Sequence, residues 1–153
     1  MDSDEIAKAF RFFTEVGIIA QLSARLLEKH LPERLTEIHF GLLSHLSRRP
    51  AGDTPQQLAF AFQVPKTSMT HMVKVLQSEV AIEVVPNPDD ERSKIAKITP
   101  KGEALIKAAI EGMSAEVAQM QPAFESDHVA ASLTHLEAIR SQLDTARNKE
   151  RPT

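Results

Sequence analysis

The sequence has 153 residues, of which 42% are hydrophobic and 25% charged, values typical of a folded domain rather than a disordered chain. It contains no cysteine, which excludes disulfides, thiolate metal sites and thiol-based redox sensing. The formal net charge of −3 disfavours nucleic-acid binding, although the local charge of a contact surface matters more than the total. Short apolar runs and an acidic N-terminus without a secretion signal predict a cytoplasmic protein with no membrane partner.

A long helix is predicted over residues 6–31, because apolar side chains recur there at steps of three, four and seven. These are Ile6, Phe10, Phe13, Ala20, Ala24, Leu27 and Leu31. Five more widen the apolar face beyond what a surface helix needs, namely Val16, Ile18, Ile19, Leu22 and Leu26. A helix that is apolar on two sides needs a cover from outside its own domain, so a partner chain is expected.

A second helix is predicted to begin at Thr36, and two short helices with a tight turn between them follow from Thr54. Thr54 has the properties of a helix cap, with Pro55 and Gln57 at the first and third helical positions. The helix over residues 66–76 buries Met69, Met72, Val73 and Leu76. Its opposite face is polar and carries no carboxylate: Lys66, Thr67, Ser68, Thr70, His71 and Lys74.

Two apolar runs, residues 81–85 and 95–98, predict a β-hairpin whose charged loop covers residues 86–94. Thr99 and Pro100 then begin another helix, and a last helix is predicted over residues 126–149. The last helix has a near-heptad seam of Val129, Leu133, Leu136, Ile139 and Leu143. Helix, turn, helix and hairpin in this order indicate a winged helix-turn-helix, whose second helix enters the DNA major groove.

The predicted fold is therefore mainly α with a small β-wing. We expect a single domain over residues 1–153, with the winged helix-turn-helix over residues 36–102. The helices of residues 6–31 and 103–149 flank it and are expected to form a homodimer.

The sequence from Pro86 to Gly102 resembles the multiple-antibiotic-resistance regulator (MarR) family. That family's wing has an Asp-x-Arg pair, a strand, and then Leu-Thr-x-x-Gly, which correspond here to Asp90, Arg92, Ile98, Thr99 and Gly102. The resemblance implies a homodimeric transcription regulator on a pseudo-palindromic operator in double-stranded DNA. It further implies a repressor that a small apolar or aromatic acid releases.

The resemblance also implies roles for individual residues. Arg92 would enter the minor groove, held by Asp90, and Lys94 would contact phosphate. Thr67, Ser68, Thr70 and His71 match the family's base-reading face, with Lys66 and Lys74 on phosphates.

Four residues depart from the family pattern: Pro65, His71, Val80 and Val84. Together they remove two or three phosphate contacts per subunit. Each contact contributes about 0.9 to the slope of the logarithm of the binding constant against the logarithm of the salt concentration. The alternative function is therefore a winged-helix dimer with lost or weak operator binding, which acts by binding a protein partner or a small ligand.

No nucleophile elbow, phosphate loop or pair of catalytic carboxylates is present in the sequence, so no enzyme activity and no cofactor are expected. The six histidines are His30, His39, His45, His71, His128 and His135. None forms the His-x-x-x-His pair that places two metal ligands on one helix face, so no metal site is expected. Metal-responsive regulation would require ligands from distant helices.

Overall fold

The computed structural model describes residues 2–121 and 123–149, with side chains up to residue 146. The order of elements is α1 (Ser3–Glu28), α2 (Glu37–Ser47), α3 (Pro55–Ala61), α4 (Lys66–Ser78), β1 (Ile82–Asn87), β2 (Asp90–Ile98), α5 (Pro100–Ala118) and α6 (Ser126–Lys149). The prediction of a mainly α fold with a small β-wing is confirmed. The chain divides into two compact units, residues 1–113 and 114–153.

Helix α1 begins and ends three residues earlier than predicted. Asp2 caps it, since its side chain accepts the backbone N–H of Glu5 at 2.8 Å while the Glu5 carboxylate accepts the N–H of Asp2 at 2.9 Å. This capping box precedes the first apolar residue, so apolar periodicity alone placed the start too late. At the other end Lys29 is the C-cap, and Leu31 lies in the turn before Pro32.

Helices α2, α3 and α4 are held together by a shared apolar core. Its fully buried side chains include Leu42, Leu43, Leu46, Leu58, Met69 and Leu76. The predicted capping box of α3 is confirmed, because Thr54 Oγ1 accepts the N–H of Gln57 at 3.2 Å and the Gln57 side chain accepts the N–H of Thr54 at 2.8 Å. This core fixes the inner face of α4 and leaves its outer face to solvent.

The wing is longer than predicted. Strands β1 and β2 pair antiparallel from Ile82 opposite Ile98 to Pro86 opposite Lys94, and the turn is reduced to Pro88 and Asp89. The prediction that residues 86–94 form a loop was wrong, because proline and charged side chains are tolerated on the edges of an exposed hairpin.

A short backbone pairing adds a third segment to the base of the wing. Asp53 donates its N–H to the carbonyl of Ala96 at 3.1 Å and accepts the N–H of Ala96 at 2.9 Å. Gly52, before it, has φ +77°, and a Cβ at this position would collide with the Ala96 carbonyl oxygen. The loop between α2 and α3 therefore lies directly against β2.

Helices α3 and α4 both end with a residue in the left-handed backbone region. Val80 has φ +57°; it donates its N–H to the carbonyl of Gln77 at 3.0 Å, and Ala81 donates to Leu76 at 2.9 Å. This is the Schellman ending, in which glycine is the usual left-handed residue. Gln63 ends α3 in the same way with φ +54°.

Both units expose large apolar side chains. In the first unit they lie mainly along α1: Ile6, Phe10, Phe13, Val16, Ile18, Ile19 and Leu22. In the second unit Leu133, Leu136 and Leu143 of α6 are exposed. In the part of the chain that the structure describes, every helix is too short or too polar to span a membrane.

Candidate nucleic-acid interface

Helix α4 presents the polar face that the sequence predicted. Met69, Val73 and Leu76 anchor the helix in the core. Of the polar residues, Ser68 is half-buried and the others are exposed: Lys66, Thr67, Thr70, His71 and Lys74. Met72, predicted as buried, is half-buried at the edge of the core.

The hydrogen-bonding state of this face shows which chemistry it offers. Thr70 Oγ1 donates to the carbonyl of Lys66 at 2.8 Å, so its lone pairs are left as acceptors for an outside donor. Among the described ion pairs, none involves Lys66 or Lys74, so both ammonium groups are available to anions.

The start of α4 lacks a side-chain cap, as expected from a proline at that position. Pro65 is the N-cap, and its carbonyl accepts the N–H of Met69 at 3.0 Å. A proline has no hydroxyl that could bond the N–H groups of the first turn.

The tip of the wing contains a bulge of three residues. Asn87 pairs with Asp90 and Pro86 pairs with Lys94, so residues 91–93 of β2 lie between two paired positions without a counterpart on β1. Arg92 is the middle residue of this bulge, and its side chain is exposed. A bulge of this kind redirects side chains away from the regular strand direction.

Hydrogen bonds within the tip fix the shape of the bulge. The Asn87 side chain donates to Ser93 Oγ at 2.7 Å and accepts the N–H of Asp89 at 3.0 Å. Asp90 contacts Arg92 through the main chain, since its Oδ1 accepts the N–H of Arg92 at 3.0 Å. The aspartate therefore fixes the backbone from which Arg92 projects.

His39 is a buried histidine of α2 to which the sequence analysis assigned no role. Its Nδ1 accepts the N–H of Thr36 at 3.1 Å and lies 2.9 Å from Thr36 Oγ1, so it completes the cap of α2. Its Nε2 is buried without a hydrogen-bond partner in the described residues. Burial lowers the pKa of His39 below its ordinary value of 6.5, and the charge of His71 lowers it further.

The signal for this role was present in the sequence. Thr36 and His39 have capping-box spacing, with histidine at the position where glutamate or glutamine is usual.

A second cluster that sequence reasoning missed joins helix α2 to the base of the wing. The side chain of Asp53 is only 4% exposed, and its Oδ2 lies 2.7 Å from both His45 Nε2 and Arg49 Nε. The rings of His45 and Phe62 pack in a T-shaped arrangement, with ring centroids 5.6 Å apart. No sequence motif marks this cluster, because a charged residue in a predicted loop is expected to be exposed to solvent.

In the described part of the chain, no three His, Cys, Asp or Glu side chains are grouped so that they could hold a metal ion. This statement covers all six histidines, which lie within the described residues.

Comparisons with known proteins agree with the winged helix-turn-helix geometry described above. The MarR family model matches residues 35–93, which cover α2, α3, α4 and most of the wing. No curated protein sequence matches the chain.

Solved structures are similar over nearly the whole chain. A crystal structure of MarR has a TM-score of 0.77 and 21% identity, and the match covers 97% of this chain and 98% of that one. The transcriptional regulator BldR from Sulfolobus solfataricus has a TM-score of 0.75 and 23% identity, covering 93% and 99%. A mutant MarR from E. coli complexed with operator DNA has a TM-score of 0.69 and 27% identity, covering 91% and 99%.

The first two similarities establish the fold, and the family model adds a sequence match over the helix-turn-helix and the wing tip. The wing motif from Asp90 to Gly102 lies in the structural context that the resemblance requires. The chain therefore has the winged helix-turn-helix fold of the MarR structures, and its residues 35–93 match the MarR family model.

Proposed function

We propose that the protein is a homodimeric, sequence-specific DNA-binding transcription regulator that acts in the cytoplasm. The observation that carries this proposal is the pairing, within one compact unit, of the exposed polar face of α4 with a bulged wing tip that presents Arg92. A winged helix-turn-helix uses the first surface in the major groove. The arginine at the tip of the wing suits the minor groove, which is narrower and concentrates the negative potential.

The side chains divide into base-reading and phosphate-binding groups. Thr67, Ser68, Thr70 and His71 can donate to or accept from base edges, and Thr70 offers its lone pairs in the observed rotamer. Lys66, Lys74 and Lys94 are the cations for backbone phosphates, which fix the register of the protein on the duplex. Asp90 supports Arg92 through the backbone bond described above.

A second copy of the chain is the proposed cover for the exposed apolar side chains. Phe10 is 72% exposed and Ile19 62% exposed on α1, although burying such residues is strongly favourable. On α6, Leu133 and Leu143 are about half exposed, at 51% and 53%. A two-fold dimer would present its two α4 helices to half-sites about 34 Å apart on one face of the duplex.

We further propose that the regulator is a repressor released by a small apolar or aromatic acid. The resemblance to the MarR family supports this part, because a ligand that binds one spacing of the two recognition helices better than another shifts operator affinity. A panel of small aromatic acids, added to the preformed operator complex, tests it.

The central test is a fluorescence anisotropy titration with the promoter region beside the protein's own gene, at several salt concentrations. We expect nanomolar binding with a steep negative salt dependence. In Arg92→Ala the affinity should fall severalfold or more, and the salt slope should become shallower by about one unit per subunit.

Lys107→Ala is the matched control, because it removes one exposed positive charge from α5, where Lys107 pairs with Glu111. Equal binding by wild type and Arg92→Ala would remove the minor-groove role of the wing. Weak binding that is the same on operator and random DNA would favour the alternative function, a winged-helix dimer that binds a protein or small ligand. The uncapped start of α4 at Pro65 is the observation that favours that alternative.

A further inference from the structure

Asp53, in its cluster with His45 and Arg49, bonds to two different parts of the winged helix. The carboxylate of Asp53 is bound by two side chains of the α2 region, at 2.7 Å from His45 Nε2 and 2.7 Å from Arg49 Nε. The backbone of the same residue exchanges two hydrogen bonds with Ala96 of the wing. Asp53 therefore connects the wing to helix α2 through a single residue.

The charge of Asp53 makes this connection specific. A buried carboxylate is costly unless it is paired and hydrogen-bonded, and here both partners approach the same oxygen. A carboxylate held by two partners has a narrow range of positions, in contrast to an apolar side chain of similar size. The His45 ring also packs against the ring of Phe62, the C-cap residue of α3.

The wing meets this anchor at the centre of its base. Ala96 is fully buried and pairs with Val84 of β1 on one side and with Asp53 on the other. Gly52 allows the loop backbone to approach so closely because it carries no side chain and adopts φ +77°. From Ala96 the paired strands run outward to Lys94, after which the bulge with Arg92 begins.

A small change in the angle of the wing at its base produces a larger displacement of the side chains at its tip. At about 3.3 Å per strand residue, Arg92 lies about 13 Å along the strand from Ala96. A tilt of about 5° at the base would therefore displace the guanidinium by about 1 Å or more, enough to weaken a contact that depends on orientation.

We infer that Asp53 is a positioning residue for the wing, and that its ion-paired carboxylate sets the angle at which Arg92 reaches the minor groove. This inference rests on the proposed DNA-binding function. The cluster contacts the base of the wing through the backbone of Asp53, whereas α4 is anchored in the core by its own residues Met69, Val73 and Leu76.

A double-mutant cycle on operator affinity tests the inference. Asp53→Asn keeps the size and the backbone of the residue but removes its charge. It should weaken operator binding about tenfold in the wild-type background, within the range of coupling between interacting residues. In the Arg92→Ala background its effect should vanish, whereas in the Lys74→Ala background the tenfold loss should persist.

Two further variants keep the test decisive if Asp53→Asn folds poorly. Arg49→Gln removes one of the two side chains that bind the Asp53 carboxylate, from a half-exposed position, and should show the same pattern with a smaller loss. Ser47→Ala is the control, because it removes a hydrogen bond from α2 to Glu103 of α5, 3.0 Å long, without touching the wing. Ser47→Ala should leave operator affinity within about twofold of wild type.

Amide hydrogen exchange of the free protein provides a readout that does not depend on DNA. In Asp53→Asn, protection should fall in β2 around Ala96 and stay unchanged in α4. Equal losses of affinity in all backgrounds, or uniform loss of protection, would overturn the inference. If wild type does not prefer its operator, the proposed function fails, and the exchange pattern alone then decides whether Asp53 holds the wing.

Discussion

At the scale of single residues, Val80 has a strained backbone conformation, and burial of its side chain does little to offset the cost. A β-branched residue with positive φ is disfavoured, and the Val80 side chain is 60% exposed, so little burial offsets the cost. The backbone there is nevertheless well bonded, since the Val80 carbonyl accepts the Thr99 hydroxyl at 2.7 Å. The position favours glycine.

We predict that Val80→Gly stabilises the protein by about 1 kcal/mol, the relief of left-handed strain less the entropy that glycine adds to the unfolded chain. Urea unfolding measures it. Gln77→Gly is the control, because it lies inside α4 in ordinary helical conformation and should lose about 1 kcal/mol. A loss of stability in Val80→Gly would show that its side chain makes a contact worth more than the strain.

His39 gives the stability of the fold a defined pH dependence. Its pKa is lower in the folded protein than its ordinary value of 6.5, first because of burial and second because of His71. The unfolded chain therefore binds the proton more readily than the folded protein. The contribution of neutral His39 to the free energy of unfolding is fully present above pH 6.5 and is lost as the pH falls below that value. Protonation would also remove the acceptor that caps α2 at Nδ1.

We expect His39→Gln to flatten the decrease in unfolding free energy between neutral pH and about pH 5, since glutamine retains the cap but does not titrate. Urea unfolding at a series of pH values measures this. His135→Gln, an exposed histidine of α6, serves as the comparison. Identical pH profiles for wild type and His39→Gln would assign the acid sensitivity to other groups.

At the scale of elements, the sequence predicted what local rules determine. Thr54 with Gln57 and Thr99 with Gly102 are short-range capping pairs, and the structure contains both sets of hydrogen bonds. The helical stripes of α2 and α4 follow from periodicity alone. These elements were therefore predicted within a few residues.

The wing was only partly predictable, because its details depend on residues far apart in the chain. The pairing of Asp53 with Ala96 joins a loop to a strand that lies beyond two helices and another strand. The bulge at Arg92 needs the register of both strands, and charged residues at the tip gave no sign of regular pairing. The buried role of Asp53 has the same cause, since its two partners belong to the α2 region.

At the scale of the whole molecule, the exposed apolar side chains of α1 and α6 set the main prediction. Leu136 belongs to the near-heptad seam of α6 and is 38% exposed in the single chain. A carboxylate in the centre of a buried interface is strongly unfavourable, so Leu136→Asp should dissociate or unfold the proposed dimer.

Size-exclusion chromatography with light scattering measures the dimer, and circular dichroism separates dissociation from unfolding. Ala138→Asp introduces the same charge on the far side of α6 and should leave the dimer intact. A stable, folded dimer of Leu136→Asp would mean that the seam faces solvent in the assembled protein.

The three-residue bulge has a consequence for how such a protein diversifies. The paired base of the wing, from Ile82 and Ile98 to Pro86 and Lys94, keeps one register, and the extra residues are confined to positions 91–93. Gaining or losing residues at these positions leaves the strand pairing at the base of the wing unchanged, while it alters how far Arg92 extends. Under the proposed function, the DNA sequence that the wing prefers can therefore change through insertions at the tip while the base of the wing keeps its register.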